Sequence, residues 1–435
     1  MERFALSRMK EWKENENRKP LIIRGARQVG KTWIMKTFGQ QYFEKTAYVN
    51  FDNNARMKQV FEGDLDIERL VLAISAETGV SIEAENTLII FDEVQEVPKA
   101  LTSLKYFYEN APQYAIVAAG SLLGVALHQG TSFPVGKVDF LDLYPLNFRE
   151  FLCAMGEKQF VSMLDSCDTQ MVTVFKTKYI ERLREYYFVG GMPEVVKDFS
   201  EKKDYNRVRA IQKNLINYYQ QDFSKHAEIK LVPRLNLVWN SIPMQLAKEN
   251  KKYIYGQVRE GSRAKDFELA IQWLLDCGLI HKVQRIQKPD LPLKAYIDFD
   301  AFKLFLVDIG LLIAMTDLDA KVIIEGNKIF TEFKGALTEQ YILQQLISDV
   351  GVIPYYYSTQ NSKGEIDFLV QGKTSVIPIE VKAEENLRAK SLRAFCDKYN
   401  PDYAVRTSMS DYREQDWMTN IPLYNIDRIT TFTSR

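Results

Sequence analysis

Residues 24–33 read RGARQVGKTW, and within them Gly25-Ala26-Arg27-Gln28-Val29-Gly30-Lys31-Thr32 completes the pattern G-x-x-x-x-G-K-[ST]. Each fixed position of that pattern has a physical task. Glycines let successive backbone N–H groups turn inward and form a nest for anionic oxygens. The apolar run PLIIRG before the loop reads as a short buried strand. KTWIMKTFGQQYF after it reads as a helix whose positive end faces the same charge. Lys31 offers a mobile ammonium to the outer phosphates of a nucleotide, and Thr32 a hydroxyl to Mg²⁺. Gly25 to Trp33 are therefore the expected nucleotide-binding residues, with ATP and Mg²⁺ as the expected ligands.

A loop of this kind needs an acidic metal partner at the end of a neighbouring strand, and LIIFDEVQ (residues 88–95) supplies one. Four apolar residues predict a buried strand with Asp92 at its carboxyl end, where ligands bind in parallel sheets. Asp92 is expected to hold Mg²⁺ through water, and Glu93 to polarise the water that attacks the terminal phosphate. A strand, TAYVNFD, separates the two motifs in sequence. With the Asp-Glu pair it selects the P-loop ATPases that have an inserted strand and a catalytic glutamate. The next strand, QYAIVAAGS, ends at Ser121, a candidate sensor of the γ-phosphate.

Working outward, strands and helices alternate through the first 150 residues, which implies a parallel sheet with helices on both faces. Residues 151 to about 225 read as mostly helical, interrupted by FVGGMPEVV. Between 230 and 300, two helical stretches precede the strand-like LIHKVQRI and LKAYIDFD, the pattern of a winged helix-turn-helix. Arg263 and Lys265, near the start of the second helix, are candidates for meeting DNA phosphates, with a solvated helix face as the plain alternative. After a helix at EQYILQQLISD come IPYYYST, EIDFLVQ, SVIPIEVK, YAVRTS and IPLYNI, the strands of a second α/β domain. YYYS at 355–358 is read as a strand rather than a base-stacking platform.

Bulk properties bound the partners. With 435 residues there is room for about two to four domains of roughly 100–200 residues each. Lys+Arg and Asp+Glu both number 57, so bulk electrostatics give no reason to expect a nucleic-acid coat, although a local basic face stays open. The polar start and the absence of any stretch of about 18 apolar residues predict neither a secretory signal nor a membrane span. Cys153, Cys167, Cys277 and Cys396 are far apart with no C-x-x-C pair, and the three histidines are isolated. Neither a disulfide framework nor a zinc cluster is suggested, and a cytoplasmic setting is expected.

GARQVGKT, LIIFDEVQ, AAGSLLG, LYPLNFREFL and GGMPEVV, in that order, make the chain resemble a large group of prokaryotic AAA-type P-loop ATPases. Members of that group pair an N-terminal ATPase with a C-terminal domain of unassigned function that looks like restriction endonucleases. The resemblance implies an AAA-type ATPase domain over 1–155, a helical lid-like segment over 156–228, a winged helix-turn-helix-like domain over 229–300 and a restriction-endonuclease-like domain over 301–435. Members commonly carry Gly-Arg ahead of the PL-x-F-x-E-F segment, and that arginine is a candidate finger for a neighbouring subunit's nucleotide. This chain has Lys137 there, a point charge without the guanidinium fork, and Arg149 is the alternative.

The resemblance also directs attention to KGALTEQYI, GEIDFLV and IPIEVKA. Residues two apart on a strand share a face, so Glu380 and Lys382 point one way while Ile379 and Val381 point to the core. A hairpin pairing would bring Asp367 to them, with Glu339 joining from the preceding helix. This is the D-(x)n-E-x-K arrangement of restriction-type nucleases, in which two carboxylates hold Mg²⁺ and a lysine positions the attacking water. The expected fold is thus α/β: a P-loop ATPase with a parallel sheet, a helical and winged-helix middle, and a nuclease-like C-terminal α/β domain. The leading functional expectation is an ATPase coupled to that domain. The alternatives are a nucleotide-regulated, Mg²⁺-dependent nuclease acting on DNA, and a nucleotide-switched scaffold binding a protein partner or a second copy of the chain.

Overall fold

The computed structural model describes residues 2–120, 134–166, 168–248, 251–325, 331–359, 364–384 and 389–434. They form two compact units. The first comprises Glu2–Tyr144 with the short turn Asp276–Leu279, and the second Pro145–Leu275 with Ile280–Arg435.

The first unit is built on a parallel sheet of β1 (Leu21–Arg24), β2 (Lys45–Asn50), β3 (Thr87–Asp92), β4 (Ala115–Ala119) and β5 (Asp139–Asp142). Their order is β2-β3-β4-β1-β5, and every adjacent pair is parallel. All six residues of β3 are buried, which is what an unbroken apolar run gives in a sheet covered on both faces. Phe51, Phe61, Phe91 and Phe107 stack edge to face over one side, with centroids 5.4 to 6.5 Å apart. Helix Ile67–Thr78 starts where Asp66 accepts the Arg69 N–H and stops at Gly79, whose φ of 68° is left-handed. In space, the strand between β1 and β3 is β4. The TAYVNFD segment, expected to separate them in sequence, forms β2 at the edge.

The second unit begins with helices and continues into a mixed sheet. Its strands are β6 (Ile280–Ile286), β7 (Ile297–Leu306), β8 (Tyr355–Ser358), β9 (Glu365–Gln371), β10 (Val376–Val381), β11 (Val405–Ser408), β12 (Arg413–Glu414) and β13 (Thr419–Pro422). The order is β12-β13-β11-β10-β9-β8-β6-β7. β6 and β7 do form an antiparallel ribbon, but β6 also pairs in parallel with β8, Arg285 facing Tyr356. The ribbon expected of a winged helix-turn-helix is therefore present as one edge of an eight-stranded sheet, and the border drawn at 300/301 falls inside β7. The cause is visible in the sequence of β7. Ala301–Leu306 is buried at every position, too apolar for a ribbon standing in water. Tyr355, Tyr356 and Tyr357 are likewise buried, as core of β8. IPLYNI is a strand only at its start, since Leu423–Ile429 coils into a 3₁₀ helix.

The two stretches most specific to the resemblance meet within this unit. The Leu146 N–H donates to the Gly191 carbonyl at 2.7 Å, and the Tyr186 hydroxyl donates to the Leu146 carbonyl at 2.5 Å. Asn147 and Glu150 form a capping box, and the Phe148 N–H donates to Gln345 Oε1 at 2.8 Å. The Gly191 N–H donates to Asp308 Oδ2 at 2.6 Å, and a Cβ on Gly190 would lie 2.2 Å from Asp308 Oδ1. Gly190 is thus demanded by a close approach to a buried carboxyl, which burial pushes up to about 6 against its backbone N–H donors, and Gly191 by the Leu146 carbonyl oxygen, 2.1 Å from where its Cβ would lie.

Candidate active site

The loop after β1 has the backbone of a phosphate nest. Gly25 has φ 145°, Gln28 φ 67° and Gly30 φ 95°. A Cβ on Gly25 would lie 2.1 Å from the Leu143 carbonyl oxygen, so no other residue fits there. Ala26 and Val29 are buried, Arg27 faces solvent, and Trp33 is exposed on the helix Lys31–Tyr42. At the mouth of the loop, Arg24 makes a two-pronged contact with Asp142 at 2.9 and 3.0 Å.

Lys31 is buried and folds over the loop, its Nζ donating to the carbonyls of Gly25 at 2.9 Å and Ala26 at 2.8 Å. Burial pushes its ammonium down to about 8, against the pull of Glu93 and Asp92. The Thr32 hydroxyl donates to Asp92 Oδ2 at 2.7 Å. The sheet order brings them together, because β3 ends beside the loop on the carboxyl edge. The Asp92 carboxylate is fixed further by the Tyr48 hydroxyl on Oδ2 at 2.9 Å and by the Glu93 N–H on Oδ1 at 3.1 Å. Burial and the Asp92 charge raise the Tyr48 phenol above its ordinary value. Glu93 sits in the left-handed region at φ 51°, and the Gln95 amide donates to its Oε2 at 2.7 Å.

Two contacts here were not anticipated, those of Tyr48 and Gln95. Tyr48 had a signal, since it lies on β2, which pairs with the strand of Asp92. Ser121 lies outside the described residues. Lys137 pairs with Glu109 at 3.0 Å and lies over the Tyr108 ring. Arg149 pairs with Asp427 at 2.7 Å and with Asp165, so in this structure it is spent on internal carboxylates of the second unit.

In the second unit the four expected nuclease-like residues lie as two pairs, Asp367 with Glu339 and Glu380 with Lys382. β9 and β10 do pair as an antiparallel hairpin, and Asp367 Oδ2 accepts the Val381 N–H at 2.7 Å. Asp367 also shares a hydrogen bond with Glu339. That pair faces two lysines the sequence reading passed over. Lys303, wholly buried on β7, pairs with Glu365 and lies 3.5 Å from Glu339, while Lys251 pairs with Glu339. Glu380 pairs with Lys382 at 2.6 Å, the two sharing one face of the strand end as expected. Among the described residues, no group of three or more His, Cys, Asp or Glu side chains is placed to hold a metal ion. Lys251 and Lys303 set their charge against Glu339 and Glu365, the acids beside Asp367. Burial and the Glu339 charge push Asp367 up to about 8. Burial would also raise Glu339, but Lys251 and Lys303 outweigh it and hold that carboxyl below its usual value. Arg263 and Lys265 are both exposed at the start of helix Ala264–Asp276.

The geometry of the first unit defines a P-loop nucleotide-binding domain. Residues 17–152 match the family described as AAA domain. Residues 180–322 and 334–426 match two domains of unknown function, DUF8612 and DUF4143. No curated protein matches the chain. Among solved structures, a Walker-type ATPase of Pyrococcus abyssi shares 15% identity at a TM-score of 0.44, over 72% of this chain and 95% of that one. The Orc1 protein of Aeropyrum pernix, solved in complex with DNA, shares 13% at 0.27, over 72% and 91%. Cdc6p of Pyrobaculum aerophilum shares 10% at 0.25, over 72% and 92%. At these scores the likeness is distant. No described helix is long and apolar enough to cross a membrane.

Proposed function

We propose that the chain is a Mg²⁺-dependent ATPase whose first unit binds ATP and hydrolyses it to ADP and phosphate. The observation that carries this reading is the 2.7 Å contact between Thr32 and Asp92 beside a complete phosphate loop. A hydroxyl and a carboxylate oxygen at that distance are the donors that suit Mg²⁺. When bound, Mg²⁺ supplies positive charge against the phosphate oxygens. The rest is the work of the chain. Backbone N–H groups of the Gly25–Thr32 loop cradle the phosphates, and Lys31 exchanges its loop carbonyls for phosphate oxygens. Tyr48 and the Glu93 N–H hold the Asp92 carboxylate in one orientation. Glu93, next to Asp92, orients the attacking water and accepts its proton, with Gln95 steadying its side chain.

For the second unit we infer a binding role and no DNA cleavage. The ion pairs of Lys251 and Lys303 support that reading. ATP turnover measured with Mg²⁺ varied, with and without DNA, tests the whole proposal. Absence of Mg²⁺-dependent turnover removes the ATPase reading, and Mg²⁺-dependent nicking of DNA removes the reading of the second unit.

A further inference from the structure

Arg3 precedes the helix Ala5–Glu14 and is buried, with 5% of its surface exposed. Its guanidinium joins two carbonyls of the first unit. Nη1 donates to the Val29 carbonyl at 3.0 Å and Nη2 to the Tyr144 carbonyl at 2.6 Å. Val29 lies inside the phosphate loop, between Gln28 at φ 67° and Gly30 at φ 95°. The Val29–Gly30 peptide is followed by a left-handed glycine and is the part of the loop most free to turn over, because a glycine beside it accepts either orientation. A trans peptide points its C=O and the following N–H in opposite directions. Holding the Val29 carbonyl on Arg3 therefore aims the Gly30 N–H the other way, into the nest that takes phosphate oxygens.

We propose that Arg3 is a positioning residue of the nucleotide site, setting the Val29–Gly30 peptide for phosphate binding without touching phosphate itself. The proposal rests on the nucleotide-binding reading above. The fork geometry is what the task requires. One planar guanidinium reaches both the loop and the backbone at Tyr144, just beyond β5, whereas a lysine ammonium in its place would reach one carbonyl at a time. The loop is then anchored to the end of β5 as well as to β1. Without that anchor only a fraction of molecules would hold the binding-competent peptide, and apparent affinity would fall by that fraction.

The test is titration of Arg3→Ala and Arg3→Lys with a fluorescent ADP analogue in Mg²⁺, so that no hydrolysis is needed. Arg3→Ala should bind about tenfold or more weakly, by the population argument, and Arg3→Lys should fall between it and wild type. Guanidinium chloride at concentrations well below denaturing should restore much of the affinity of Arg3→Ala, and sodium chloride at the same concentration should not. A merely structural role would not give rescue by the guanidinium ion. Wild-type affinity in either folded variant, or a loss that guanidinium leaves untouched, overturns the proposal alone. If Arg3→Ala fails to fold, Arg3→Lys decides: weaker ADP binding at an unchanged melting temperature supports the proposal, and unchanged binding overturns it. Wild-type protein that binds no ADP overturns the nucleotide reading, and this proposal with it.

Discussion

Lys303→Met is the substitution that probes the second unit most directly. Lys303 has no exposed surface, pairs with Glu365, lies 3.5 Å from Glu339 and sits 4.8 Å over the Tyr356 ring. Methionine keeps the volume and removes the charge, leaving Glu339 with Lys251 alone and Glu365 without its lysine. Breaking a buried pair from one side costs about 3–5 kcal/mol, because the remaining charge stays buried. At about 2–4 °C per kcal/mol for a large domain, the melting temperature of this unit should fall by roughly 6–20 °C. Thermal melts by circular dichroism measure it. ATP added in parallel identifies which transition belongs to the first unit, since only that one should move up. Replacing Glu365 by Gln in the same chain should recover part of the loss, as a coupled pair requires. Wild-type protein should not be stabilised by Mn²⁺ in this transition, because the lysines already balance the acids. A Lys303→Met variant melting within about 2 °C of wild type, less than the loss of a single kcal/mol, would refute the ion-pair account.

Three further outcomes are expected. Lys31→Ala should weaken ATP binding about ten- to a hundredfold, the value of one charge-assisted contact of roughly 1.5–3 kcal/mol, as read by calorimetry. Glu93→Gln should keep ATP bound and slow its hydrolysis by about 10²–10⁴-fold in a single-turnover assay. Stability should also depend on pH through Asp367, whose folded value is raised to about 8. Between the ordinary carboxyl value and that one, the folded unit holds a proton the unfolded chain has released, so its contribution is full at low pH and is lost as pH rises through the folded value. Urea midpoints for the second unit should therefore fall between about pH 4 and about pH 8, and Asp367→Asn should flatten that slope.

The nucleotide site was legible because its chemistry is local. Gly25, Gly30, Lys31 and Thr32 lie within eight positions, and Asp92 is marked by the apolar run that ends on it. Arg3 could not be read this way. Its partners are backbone carbonyls at Val29 and Tyr144, and a carbonyl has no residue type. The parallel sheet followed from alternation of apolar runs with helices, while its spatial order did not, since the placement of β4 is tertiary. In the last third, strand alternation did predict the hairpin of β9 and β10 but not what faces it. Lys303 stood in plain view within AFKLFL, a lysine inside an apolar run, which is itself a demand for a buried partner. Lys251 came from a segment with no pattern linking it to Glu339.

The position of β6 also decides how the chain can be divided for expression. A fragment starting near residue 300 would lack β6, which lies between β7 and β8. It would begin midway along β7 and leave Tyr355–Ser358 as a bare strand edge, its three otherwise buried tyrosines open to any other chain with a strand to add. Such an edge templates aggregation. Insoluble material from that fragment would say nothing about the chemistry of Asp367 or Glu339. A fragment beginning at residue 145 keeps all eight strands, the Leu146–Gly191 junction and both lysines, and is the division at which the second unit should remain soluble.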